Sequence, residues 1–117
     1  MNWRELNTIE LIDEILKKSD DERVMIFKFH TNRIVDILVR GLLERDWYSG
    51  EMGMDKYFLD VTENPEVTEK ADKLLELSKD TPQIVIIQGG KCIYSAAAGD
   101  IYYNKIREYS NVLKLAS

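Results

Sequence analysis

The chain has 117 residues, about one domain's worth, and its single cysteine, Cys92, excludes an intramolecular disulfide framework and any cysteine-rich zinc site. Sixteen Lys plus Arg against 21 Asp plus Glu give a formal charge of −5, which argues against a nucleic-acid binder held by phosphate contacts. No apolar run approaches the roughly 18 residues a membrane helix needs.

The first signal is helical. Asn7 with Glu10 three residues on resembles a capping box, and Ile9, Ile12, Ile15 and Leu16 recur at helical spacing. Lys17 and Lys18 suit the negative end of the helix dipole, and Ser19-Asp20-Asp21 breaks the pattern. Arg23 to Phe29 is short, apolar and rich in β-branched or aromatic residues, as a buried central strand is. His30-Thr31-Asn32 is a turn with good cap residues. A second helix runs from about Arg33 to Asp46, with Ile34, Ile37, Leu38, Gly41 and Leu42 as its core-facing side. Tyr48 to Gly53 is a loop.

Lys56 to Val61 reads as a second strand. Asn64-Pro65-Glu66 opens a helix: a cap residue, a proline in the first turn and an acid at the positive dipole end. Val67, Ala71, Leu74 and Leu75 give that helix its apolar side, and Asp80-Thr81-Pro82 ends it. Gln83 to Ile87 is a third strand. Gly89-Gly90 signals a two-residue hairpin, and Lys91 to Ser95 returns as a fourth strand. There Cys92 and Tyr94 share one face and Ile93 takes the other. Asp100 is placed to cap a last helix carrying Tyr102, Ile106, Tyr109 and Leu113.

The order α-β-α-β-α-β-β-α predicts an α/β thioredoxin-like fold. Two β-α-β units come first and right-handed crossovers make their strands parallel, while the hairpin adds an antiparallel edge. The result is a four-stranded mixed sheet with an N-terminal helix, forming one domain over residues 1–117. The opening Met-Asn-Trp-Arg-Glu-Leu shows no charged region followed by an apolar core, so a cytoplasmic protein without membrane contact is expected.

Particular segments carry a closer likeness. Ile26-Phe27-Lys28 followed by a Thr-containing turn resembles the Phe-Lys-His-Ser-Thr-Arg-Cys segment of the monothiol bacilliredoxins, thioredoxin-fold proteins of the bacillithiol system. Trp3, Leu6 and Ile15, Tyr57 to Val61, Asp80-Thr81-Pro82-Gln83, Gly90-Lys91 and Asp100-Ile101 match the same family in order and spacing, over about residues 3 to 113. The resemblance implies a cis Thr81-Pro82 bond, with the Thr81 backbone facing the place where a thiol or peptide binds. It also implies a thiol at the start of the second helix, where the dipole and free N–H groups lower a cysteine's pKa.

That thiol is missing. The alignment puts Arg33 at the family's cysteine and Asp36 at the position of a second cysteine or serine, and no cysteine lies between residues 1 and 91. His30-Thr31-Asn32 replaces the family's Ser-Thr-Arg. Ser95 to Gly99 lacks the histidines that often follow the fourth strand. The reading is therefore a binding or regulatory module that uses Thr31, Arg33, Asp36, Thr81 and Pro82. Its partner is an unidentified protein or a low-molecular-weight thiol, and no cofactor is called for.

The alternative is a thiol-disulfide oxidoreductase acting on low-molecular-weight thiol mixed disulfides through Cys92; against it, a strand cysteine is commonly an inert packing residue. Arg33 reads either as an anion anchor or as a solvated side chain with Asp36 as its i,i+3 partner. His30 is the only histidine, so it reads as a ligand in that pocket or as a turn residue; alone it builds no catalytic unit. His30, Asp36 and Asp80 have no diagnostic metal spacing. No serine sits in a nucleophile turn, and Gly89-Gly90 is too short to cradle phosphate. Trp47-Tyr48 and Tyr102-Tyr103 read either as a partner surface or as helix termini packed against a sheet edge; in a third reading, a purely structural subunit, Trp47 or the last helix serves a homodimer.

Overall fold

The computed structural model describes residues 2–47 and 53–109. The strands are β1 (Trp3–Glu5), β2 (Val24–Phe29), β3 (Asp55–Asp60), β4 (Gln83–Gln88) and β5 (Lys91–Ala97). The helices are α1 (Ile9–Lys18), α2 (Ile34–Asp46), α3 (Pro65–Leu75) and α4 (Tyr103–Arg107), with a 3-10 turn at Ala98–Asp100. The sheet has five strands, not four, in the order β1-β3-β2-β4-β5. The described chain opens on a strand, and α1 follows it.

β1 escaped the sequence reading because three residues, two of them charged and exposed, make no alternating pattern. It pairs parallel to β3, from Trp3 opposite Lys56 to Glu5 opposite Phe58. The parallel crossovers are thus β1-α1-β2 and β2-α2-β3. The unit expected over residues 56–87 is not one, since β4 runs antiparallel to β2. α3 ends at Glu76 in the left-handed conformation (φ 56°), and the loop 76–82 reverses the chain before β4.

β2 is buried on all six residues, which is what a central strand with helices on both faces requires. On one face α1 and α3 cover Val24, Ile26, Tyr57, Leu59, Val85 and Ile87. On the other, α2 and α4 meet Met25, Phe27, Phe29, Ile84 and Ile86. Leu6 and Ile15 are fully buried, and the Trp3 ring stacks on Phe27 at 5.6 Å while its indole N–H donates to Glu44 at 2.8 Å.

Several local expectations change. Thr8, not Asn7, caps α1; its hydroxyl accepts from the Leu11 N–H at 3.3 Å. Asp100 closes the 3-10 turn, and Tyr102 is the cap of α4. Leu113 and residues 48–52 lie outside the described residues. Leu74 is exposed. The Gly89-Gly90 turn is present, with φ of +61° and +73°, values that suit glycine at both positions of a type I′ turn.

The largest change is in α2. Asp36, Val39 and Leu43 face the sheet, and Arg40 lies over the Phe29 and Phe58 rings at 5.3 and 5.6 Å. The stripe expected to face the core, Ile34, Ile37, Leu38, Gly41 and Leu42, is exposed. This helix has apolar residues on both sides, so periodicity cannot tell which side the fold selects. Among the described residues, no helix is long and apolar enough to cross a membrane.

Candidate functional site

The site is built where β2 runs into α2 and the loop 76–82 crosses beside it. Arg33 is the cap residue of α2, with extended backbone (φ −101°, ψ 130°) and no side-chain cap bond of its own. A cation there opposes the positive end of the helix dipole by a few tenths of a kcal/mol. The side chain turns away from the helix axis instead. Its guanidinium donates to the Thr81 hydroxyl at 3.2 Å, which places Arg33 beside the cis Thr81-Pro82 bond. Pro82 is buried and Thr81 half-buried.

Asp36 does not pair with Arg33. It is fully buried in the first turn of α2, and its Oδ2 accepts the His30 backbone N–H at 2.7 Å. Its Oδ1 is buried and meets no donor among the described residues. The carboxylate therefore staples the turn 30–33 to the helix and is closed to a ligand. His30 serves the same turn: its Nδ1 accepts the Asn32 N–H at 3.3 Å, and its carbonyl accepts the Arg33 N–H at the same distance. Thr31 is exposed on that turn. Asp80 is exposed on the loop, where it accepts from the Ser78 hydroxyl at 3.1 Å, so His30, Asp36 and Asp80 have separate roles. Among the described residues, no group of three or more His, Cys, Asp or Glu side chains could hold a metal ion.

The sequence reading missed the group that positions the loop. Lys28 is buried in β2, and its Nζ donates to Asp72 Oδ1 of α3 at 2.5 Å, to the Ser78 carbonyl at 2.9 Å and to Gln83 Oε1 at 3.0 Å. One ammonium with three donors thus ties α3, the loop and the start of β4 together, directly behind Thr81 and Pro82. Lys79 reaches the other oxygen of Asp72 at 3.4 Å. The available signal was a lone charge inside an otherwise apolar strand. On the other flank, the Ala98 N–H donates to the Pro82 carbonyl at 2.9 Å, so the turn after β5 closes the site with backbone.

Cys92 lies elsewhere. β5 pairs Ala97 with Gln83 and Cys92 with Ile87, so the thiol stands five residues beyond Pro82, about 16 Å along the sheet. A register shift between Ile86 and Ile87 makes Ile93 an extra residue in the ladder, so Cys92 and Tyr94 do not share a face. Cys92 packs on the α1/α3 core and Tyr94 on the α2/α4 core. Burial pushes the Cys92 thiol above its ordinary pKa, and the thiol donates to the Tyr94 carbonyl at 3.4 Å. Trp47 is buried, edge-on to Tyr103 at 5.8 Å, and offers no partner surface. Tyr102 is exposed.

Residues 4–106 match the model of the family described as monothiol bacilliredoxin BrxC. The chain belongs to the monothiol bacilliredoxin family. No curated protein matches it. Its fold is that of several solved structures. A thioredoxin-fold protein assigned as an oxidoreductase superposes with a TM-score of 0.75 at 17% identity over 90% of each chain. Thioredoxin from Fasciola hepatica gives 0.69 at 17% identity, over 95% of this chain and 97% of that one. Oxidised thioredoxin from Plasmodium falciparum gives 0.69 at 19% identity, over 99% and 100%. This bacilliredoxin-family chain thus has the thioredoxin fold, with a cis Thr81-Pro82 bond in its 76–82 loop. Its one cysteine is far from that loop.

Proposed function

We propose that this bacilliredoxin-family chain is a cytoplasmic, non-catalytic binding or regulatory module working at the Thr31, Arg33, Thr81–Pro82 surface. One observation carries the reading. The residue at the start of α2, beside the cis-proline loop, is an arginine bonded to Thr81 at 3.2 Å. A mixed disulfide needs a thiolate sulfur there, and a guanidinium forms no such bond. A guanidinium can instead hold a carboxylate through its planar fork of N–H donors, and Arg33 is exposed to one. The partner that fits is a protein, or a low-molecular-weight thiol, presenting a carboxylate and an extended backbone edge to Thr81.

Cys92 supports the same reading by its position. A thiol with raised pKa, on the far end of β5 and the opposite face of the sheet from α2, is poorly placed for exchange.

The test is a de-bacillithiolation assay on a model protein that carries a bacillithiol mixed disulfide. No release of the thiol is expected, while titration with oxidised bacillithiol shifts the amide resonances of Thr31, Arg33 and Thr81 without forming a covalent adduct. Turnover that a Cys92→Ser change abolishes would overturn the proposal.

A further inference from the structure

α2 carries an apolar face that the described residues leave open. Ile34, Val35, Ile37, Leu38 and Leu42 are between 52% and 74% exposed, and Tyr102 at 62% adjoins them across the groove it lines with Leu42. Together they present on the order of 600 Å² of mostly apolar surface, at the top of what a monomer ordinarily leaves open and short of the ~800 Å² per partner of a standard interface. The middle of the face holds no charge. Arg40, the one charged residue between Ile37 and Leu42, is laid inward over Phe29 and Phe58. Charge depletion at the centre with charge at the rim is the composition of an interface core.

Gly41 is the second observation. A mid-helix glycine costs about 0.5–1 kcal/mol relative to alanine. Among the described residues nothing demands one here, because a Cβ at Gly41 would meet no atom within 4 Å. The notch lies on the exposed side, one turn from Leu38 and beside Leu42. It suits a close approach by something outside the chain.

We infer that this face binds the same face of a second copy, with the two α2 helices antiparallel about a two-fold axis. Three features favour a second copy over another partner. Paired with itself, the face buries on the order of 1,200 Å² in total, the lower end of a specific interface. A two-fold axis between Leu38 and Gly41 seats each Leu38 in the other copy's Gly41 notch, so one apolar contact is made twice. An antiparallel pair also opposes the two helix dipoles. Pairing of this face draws on none of the thiol or carboxylate chemistry of the site, and it holds or fails separately from the proposed function.

Sedimentation velocity on the full chain, from low to high micromolar, tests it. A concentration-dependent dimer is expected. Leu38→Glu alters an exposed position, so the helical circular dichroism should persist while the dimer weakens by more than roughly tenfold. Gly41→Leu improves helix propensity and its Cβ meets no described atom within 4 Å, but its side chain fills the notch and should weaken the dimer similarly. A wild-type chain that stays monomeric throughout overturns the inference, as does a dimer that withstands both changes. A face covered by another part of the chain, or kept for a different protein, would appear as the monomeric outcome.

Discussion

Lys28 and Asp72 form an ion pair at 2.5 Å with side chains only 1% and 5% exposed. Such a pair has paid desolvation on both sides, so its value lies in what happens when one partner is lost. Asp72→Ala leaves a buried ammonium with only two neutral acceptors, the Ser78 carbonyl and the Gln83 amide oxygen. A loss of about 3–5 kcal/mol in urea unfolding is expected. Lys28→Met with Asp72→Leu removes both charges and should recover most of that loss. The double variant should nonetheless loosen the loop 76–82, because the tether to the Ser78 carbonyl is gone. Faster amide exchange at Lys79 to Thr81 would show it.

Arg33→Cys tests whether the scaffold still activates a thiol. The side chain would sit at the cap position of a 13-residue helix, beside the cis Thr81-Pro82 bond. The helix dipole and the open N–H groups of the first turn lower a thiol's pKa there. In a Cys92→Ser background, the introduced thiol should react with a thiol reagent at pH 7 more than roughly tenfold faster than Cys92 does in the native chain. Equal rates would mean that the first turn of α2 no longer favours an anion.

Cys92 itself should label slowly in the folded protein and readily in denaturant, since burial raises its pKa and β5 packs it on the α1/α3 core. A fast, stoichiometric reaction with the native chain at neutral pH would restore it as a redox group. Stopped-flow absorbance with an aromatic disulfide reads both rates directly.

How far the sequence reached depended on which residues carry one-sided patterns. β2, β3, β4 and the Gly-Gly hairpin are apolar runs with clear punctuation, and each fell where expected. β1 is three residues with two charges, and it exists because β3 offers it a free edge rather than through propensity of its own. The outward face of α2 was misread because Ile34, Leu38 and Leu42 make a better stripe than Val39 and Leu43. The structure turns Asp36 inward, where its carboxylate closes the turn 30–33. At the site, Arg33 and Thr81 meet beside the cis Thr81-Pro82 bond, while Asp36, expected among the binding residues, is buried in the first turn of α2. The Lys28 tether depends on partners 44, 50 and 55 residues away, which no local pattern reveals.

Lys18 and Asp55 give a pH dependence with a defined sign. Lys18 ends α1 and its Nζ is hydrogen-bonded to Asp55 Oδ2 at the start of β3, below the Tyr57 ring. The hydrogen bond to Lys18 holds the Asp55 carboxyl below its ordinary pKa, and the same bond raises Lys18 above its own, with burial working against both. For Asp55 the folded state favours the charged form. Its contribution is present above the unfolded pKa of about 3.9 and is lost as pH falls through the lower folded value. For Lys18 the contribution is present below about 10.4 and is lost as pH rises through the raised folded value. Between those limits the pair adds a constant increment of at most about 1 kcal/mol, since both groups are partly solvated. Asp55→Asn should therefore lower stability by a similar amount at neutral pH and flatten the acid limb below about pH 4 and the alkaline limb above about pH 10. Urea midpoints measured from pH 3 to 11, at low and high salt, would check both limbs; an unchanged acid limb in the variant would mean that another carboxylate sets it.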